Sequence, residues 1–204
     1  MDKVLGVIWS DLLPDALRHA EISLVALALA CAVGVPLGTL AAIVGRLKSP
    51  VLGAAAIGRT LPSLALLTLL LPWLGVGLAP AIVALVVLAL PPIVVNVELA
   101  ISGVPASALD AATGLGMTQA QRFVRVIVPL ALPVALAGVR TASVEVIGSA
   151  TLATFIGAGG LGDDIVRALQ TNDIDLLVVA SVIVAAMAFV AELFLAGAAK
   201  ALEA

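Results

Sequence analysis

Hydrophobic and polar positions follow one another along this chain in long blocks. A helix needs about 20 consecutive, mostly apolar residues to cross the roughly 30 Å hydrocarbon core of a bilayer. Five stretches have this length, and a polar or glycine-containing segment ends each one. They cover about residues 20–44, 54–73, 77–101, 131–156 and 176–199. The pattern predicts an all-α integral membrane protein, with the whole chain, 1–204, forming one transmembrane domain.

Composition agrees with this prediction and excludes a soluble domain. The chain is 63% hydrophobic and 11% charged, whereas soluble domains average about 45–50% apolar and about 25% charged residues. A net charge of -3 provides no bulk positive charge for nucleic-acid binding. Acids precede the first apolar run, which is too long for a signal-peptide core, so we expect that run to remain in the membrane.

The distribution of lysine and arginine predicts the orientation of the spans. Seven of the ten basic residues fall on one side of the predicted bundle, and aspartates and glutamates dominate the other side. The seven are Arg46, Lys48, Arg59, Arg122, Arg125, Arg140 and Lys200. Because lysine and arginine favour the cytoplasmic side, we expect the N-terminus outside the cell and the C-terminus in the cytoplasm.

The long polar segment between the third and fourth spans, 102–130, is predicted to begin with a short helix. Pro105 suits the first helical turn, and Ser107 with Asp110 has the spacing of a capping box. Gly116 follows in a position that favours a helix stop, because glycine adopts left-handed backbone conformations.

A second short helix is predicted in the same segment. Thr118 and Gln121 form another capping-box pair, and Pro129 is expected to end the helix before the chain re-enters the membrane. A helix-turn-helix with small residues on its surface suits docking to another protein. A hairpin that merely lies on the bilayer is the alternative that the pattern leaves open.

This segment resembles the EAA loop of ABC importer permeases, with aspartate where that motif has glutamate. The matching positions are Asp110, Ala111, Ala112, Gly116, Val126, Val128 and Pro129. The stretches 60–67, 90–94 and 148–162 are similar to the same family, in its osmoprotectant branch for glycine betaine, carnitine or choline. The resemblance implies a type I importer permease in the inner membrane of a bacterial-type cell.

The resemblance also implies partners and a coupling site. Asp110, Ala111, Ala112 and Gly116 would belong to a coupling helix that docks in a groove of a cytoplasmic ATPase. Two ATPase subunits, a second permease chain and an extracytoplasmic substrate-binding protein or domain would complete the importer. Which solute moves, whether the two permease chains are identical, and whether the receptor is tethered all stay open.

Polar residues in the predicted spans are candidates for the translocation path. Thr141, Glu145 and Ser149 are spaced by four and share one face of the fourth span. We expect this stripe to line the path, the alternative being polar contacts between helices. Glu98 and Glu192 fall near predicted cytoplasmic ends, where we expect them to reach water.

The segment between the last two spans is rich in glycine at its start. Asp163 and Asp164 are expected to cap a short helix over 165–170, which would form an external gate, a receptor surface or a simple connector. The lone histidine, His19, precedes the first span among charged residues, and we expect it to be an interfacial side chain and not a ligand.

Several kinds of chemistry are not predicted. No Gly-x-x-x-x-Gly-Lys-Ser/Thr motif is present, so we expect ATP hydrolysis on a separate chain and no enzymatic activity here. No cluster of ligand residues suggests a metal, and no cofactor is expected. Permeases for another small solute (an amino acid or a sulfonate), a stand-alone secondary transporter or channel, and a non-transporting scaffold subunit are the competing interpretations.

Overall fold

The computed structural model describes residues 12–203, in which helices account for all regular secondary structure. The helices are α1 (Leu13–Ile43), α2 (Gly45–Gly58), α3 (Ser63–Leu74), α4 (Leu78–Ser102), α5 (Ala106–Gly114), α6 (Gln119–Arg122), α7 (Val128–Ala150), α8 (Leu161–Thr171) and α9 (Ile174–Glu203). A π-helical turn, Phe123–Ile127, joins α6 to α7, and a 3₁₀ segment, Thr151–Ile156, extends α7 at its other end. The protein is an all-α membrane protein.

Four helices are long and apolar enough to cross a membrane: α1, α4, α9 and the continuous 38-residue helix Gln119–Ile156 that contains α7. The pair α2 and α3 makes a fifth candidate span, but the two helices meet at an angle of 101°. The predicted second span, about 54–73, therefore consists of parts of two helices with a bend between them.

Pro62 explains the break between α2 and α3. The helix unwinds in tight turns, in which the Thr60 N–H donates to the Ile57 carbonyl at 2.9 Å and the Leu61 N–H to the Gly58 carbonyl at 3.3 Å. Proline has no N–H and forces the residue before it out of helical geometry. We call residues 59–62 the bend.

Pro129, by contrast, does not end its helix as the sequence suggested. The chain passes from α6 into α7 through the π-helical turn, where the Val128 N–H donates to the Phe123 carbonyl. In this wider turn no backbone N–H is required at Pro129. The proline ring also avoids a clash with the carbonyl of the preceding turn. The segment that follows α5 is consequently one rigid helix from the loop into the membrane.

Helix α4 lies at the centre of the domain and packs against both α1 and α7. Glycines allow this close approach. A Cβ atom on Gly38 would lie 2.8 Å from the Val94 carbonyl oxygen, and one on Gly138 would lie 2.6 Å from the Pro92 carbonyl oxygen. Backbone atoms of neighbouring helices therefore nearly touch, which is how membrane bundles gain packing energy without a hydrophobic driving force.

The two glutamates expected to reach water instead pair with cations on other helices. Glu98 is buried and accepts hydrogen bonds from Lys48 at 2.8 Å and Ser102 at 2.6 Å. Glu192 on α9 accepts from the guanidinium of Arg140 on α7. Pairing lowers the cost of holding an acid within the membrane, and it ties α2 to α4 and α7 to α9.

Candidate functional site

The hairpin formed by α5 and α6 contains the motif positions. Its first helix begins after Pro105 with no side-chain cap, so the predicted capping box of Ser107 and Asp110 is wrong. Pro105 itself occupies the cap position, which places Ser107 inside the first turn. The second capping box is confirmed: the Thr118 side chain accepts from the Gln121 N–H, and the Gln121 side chain accepts from the Thr118 N–H.

The motif residues divide between an outer and an inner face of the hairpin. Asp110, Ala111 and Gly116 are exposed, whereas Ala112 is buried against the chain, with 3% of its surface exposed. Ala112 therefore supports the hairpin and does not contribute to its outer face. Leu115, which directly precedes Gly116, is 77% exposed. We call Asp110, Ala111, Leu115 and Gly116 the coupling surface, after the role that the resemblance implies for this hairpin.

The tip of the hairpin is held in a fixed conformation. Gly116 has φ +73°, a left-handed value that favours glycine. The Met117 N–H then donates to the Ala112 carbonyl at 3.1 Å, closing the end of α5. Arg122 of α6 donates to the Thr113 hydroxyl at 3.3 Å and braces the two helices. The coupling surface is thus presented on a rigid support.

The predicted stripe on the fourth span lies on a face of α7 that this chain leaves uncovered. Thr141 and Glu145 are exposed and Ser149 is partly exposed, while Ser143 and Ile147 on the opposite face are buried. The spacing of four therefore does place the three polar residues together. Their face is left uncovered by the rest of the described chain.

Arg59 lies at the bend, and the sequence analysis counts it among the basic residues of the predicted cytoplasmic side. The preceding residue, Gly58, packs closely on the middle of α4, because a Cβ atom added to Gly58 would lie 3.0 Å from Pro91 Cγ. Arg59 is itself exposed at this level of the bundle. The bend thus places a basic side chain beside the middle of α4.

Helix α8 lies at the far end of α7 from the coupling surface. It begins after Gly160, so Asp163 and Asp164 lie in its first turn and do not cap it as expected. Asp163 accepts a hydrogen bond from the Thr154 hydroxyl, and the fully buried Asp164 pairs with Arg167. Both acids thus hold α8 in place.

His19 is fully buried, so its assignment as an interfacial side chain is wrong. Its Nε2 lies 2.9 Å from the Ile147 carbonyl oxygen of α7. The start of α8 packs on the same turn of α1: a Cβ on Gly160, which has φ +93°, would lie 3.3 Å from His19 Cα. Within residues 12–203 no group of three or more potential ligand side chains is placed to hold a metal ion.

Comparison with known proteins identifies the fold and its role. Residues 34–204 match the family described as the binding-protein-dependent transport system inner membrane component. The chain belongs to this family. It is a multi-pass permease subunit of an ABC importer, a kind of transporter that works with an ATPase and a substrate-binding partner. The resemblance noted in the sequence is confirmed.

Relatives of this permease are named as transporters of small solutes. The carnitine transport permease protein OpuCB of Listeria monocytogenes is 41% identical, over 89% of this chain and 84% of its own length. The choline transport system permease protein OpuBB of Bacillus subtilis is 41% identical, over 94% and 88%. The osmoprotectant import permease protein OsmW of Salmonella typhimurium is 39% identical, over 85% and 83%.

Solved structures share the fold. The MetNI methionine ABC transporter, in an inward-facing conformation, superposes with a TM-score of 0.82 at 23% identity, covering 94% of this chain and 95% of its own. An amino acid ABC transporter gives a TM-score of 0.72 at 18% identity, covering 94% and 92%. The permease therefore has the type I ABC importer fold.

The buried carboxyl of Asp164 gives the α8 end of this permease a pH dependence. Burial and the neighbouring Asp15 carboxylate raise the pKa of Asp164 to about 6. The same group in an unfolded chain titrates near 3.9, so the folded state binds the proton more tightly. The contribution of Asp164 to stability consequently increases as the pH falls from about 7 to about 4.

Replacing Asp164 with asparagine is expected to remove this contribution. The melting temperature of the purified permease would be measured at pH about 7.5 and about 5, and the wild-type increase on acidification should shrink by several degrees in D164N. Asp163→Asn, on the exposed neighbour, is the matched control and should keep the wild-type increase. An unchanged pH response in D164N would contradict the assignment.

Proposed function

We propose that this permease imports compatible solutes such as glycine betaine, carnitine or choline, as half of a pore formed with a second permease chain. The names of its relatives support this substrate class: carnitine and choline permeases are each 41% identical to it over most of both chains. Two ATPase subunits would drive the pore, and an extracytoplasmic receptor would deliver the solute.

The proposed topology places the coupling surface in the cytoplasm, with the N-terminus outside and the C-terminus inside. The basic residues of the α5–α6 hairpin, Arg122 and Arg125, support this orientation, as does Lys200 near the end of α9. Helix α8 and its aspartates then face the outside. In that position α8 is suited to act as part of the external gate or of the receptor-binding surface.

The coupling mechanism follows from the continuity of one helix. Residues 119–156 form a single 38-residue helix that begins in the α5–α6 hairpin and ends beside α8. Closure of the ATPase pair would move the coupling surface, and the rigid helix would carry this motion to the stripe of Thr141, Glu145 and Ser149. Access to the path would then change from one side of the membrane to the other.

Uptake of labelled solutes tests the proposed function. The permease would be produced with its cognate ATPase, receptor and any second permease chain in cells that lack osmoprotectant uptake. We expect ATP-dependent accumulation of at least one of glycine betaine, carnitine and choline. Transport of only an amino acid or a sulfonate would favour a permease for that solute. Uptake without the ATPase would indicate a secondary transporter.

A further inference from the structure

Arg59 and Glu145 lie at the same depth on neighbouring elements. Helix α3 and the end of the long helix meet at one level, because the Gly77 N–H donates to the Ile156 carbonyl at 2.6 Å. The twelve residues of α3 rise about 17 Å from that level back to the bend. The rise along the long helix from Ile156 back to Glu145, through the 3₁₀ segment, is about 19 Å. The bend and Glu145 therefore coincide in depth.

These two charges differ from the other charged side chains deep in the spans. Glu98, Arg140 and Glu192 all have ion-pair partners. Arg59 and Glu145 are both exposed and form no ion pair with each other or with any other described residue. An unpaired charge costs at least a few kcal/mol at the centre of a bilayer. We therefore expect their face to border water, solute or the second permease chain of the proposed pore, and not lipid.

A cation and an anion that face the same path, separated by more than an ion-pair distance, match a solute that carries both charges. Glycine betaine and carnitine each have a carboxylate and a quaternary ammonium group. A guanidinium binds carboxylates with paired, charge-assisted hydrogen bonds. A quaternary ammonium has no N–H to donate, and this chain has no tyrosine and only 3% aromatic residues, so attraction by a carboxylate replaces an aromatic cage.

We propose that Arg59 and Glu145 form a zwitterion subsite in the path, where Arg59 takes the solute carboxylate and Glu145 the ammonium group. Arg59 is then the residue that distinguishes zwitterions from choline, which is a cation without a carboxylate. This assignment rests on the proposed function, because it assumes that compatible solutes pass this face of α7.

Neutralising Arg59 should change solute preference. In Arg59→Gln we expect uptake of glycine betaine and carnitine to fall about tenfold or more, while any choline uptake of the wild type is kept or increased. Arg59→Lys should restore part of the zwitterion uptake, because it keeps the positive charge but not the paired hydrogen bonds. Glu145→Gln should lower uptake of every quaternary ammonium solute that the wild type carries.

The controls separate a site defect from an assembly defect. The amount of inserted permease and the copurification of the ATPase should equal those of the wild type in all three variants, and Arg46→Gln, which removes an exposed arginine at the other end of α2, should transport normally. Zwitterion uptake within twofold of wild type in Arg59→Gln, an equal loss of choline uptake, or failure of Arg59→Lys to restore transport would overturn the subsite. Failure of the wild type to carry any of the three solutes would instead overturn the proposed function.

Discussion

Replacing Leu115 with aspartate is expected to abolish ATP-driven uptake while the permease still folds and inserts. Leu115 is the most exposed large apolar side chain of the coupling surface, and a side chain of this kind anchors a protein interface when a partner covers it. A buried, unpaired carboxylate there would cost about 2 kcal/mol or more, which weakens ATPase binding roughly 30-fold. Copurification of the ATPase and solute uptake measure the two effects.

Ser107→Asp provides the matched control for Leu115→Asp. It adds the same charge to the same hairpin, but in the first turn of α5, where a carboxylate interacts favourably with the helix dipole. We expect uptake close to that of the wild type. Gly116 is a poorer probe of docking, because its φ of +73° makes any side chain there strain the backbone. Normal ATPase copurification with Leu115→Asp would show that the coupling surface lies elsewhere.

The apolar blocks predicted the helical membrane class, but they did not predict what each proline does. Pro62 and Pro129 both remove a backbone N–H. The helix axis bends by 101° near Pro62, whereas a π-helical turn before Pro129 keeps the helix continuous. Whether a proline bends the helix or leaves it continuous depends on the contacts that the flanking turns make with other helices. The hydrophobic pattern carries no information on these contacts.

The candidate site was predicted in part. The spacing of Thr141, Glu145 and Ser149 was enough to place them on one face, because helical periodicity depends only on sequence. The position of Arg59 beside the middle of α4 was not predicted, because it depends on the approach of Gly58 to Pro91 in the folded domain. His19 was likewise buried only by the packing of α1 against other elements. Leu115, an apolar residue between two glycines at a polar tip, is the feature of the sequence that indicates an exposed apolar side chain on the hairpin.

Replacing Gly138 with valine is expected to cause a large loss of stability in the permease. Its Cβ would lie 2.6 Å from both the Pro92 carbonyl oxygen and Asn96 Cβ, and the backbone of α4 cannot yield without separating from α7.

Overpacking of this kind costs about 1–3 kcal/mol or more, so we expect a melting temperature several degrees lower and a reduced yield of inserted Gly138→Val protein. Gly197→Ala on α9, where an added Cβ meets no atom within 4 Å, is the control and should be neutral or slightly stabilising. Equal melting temperatures for both variants would mean that α4 and α7 do not approach this closely in the membrane.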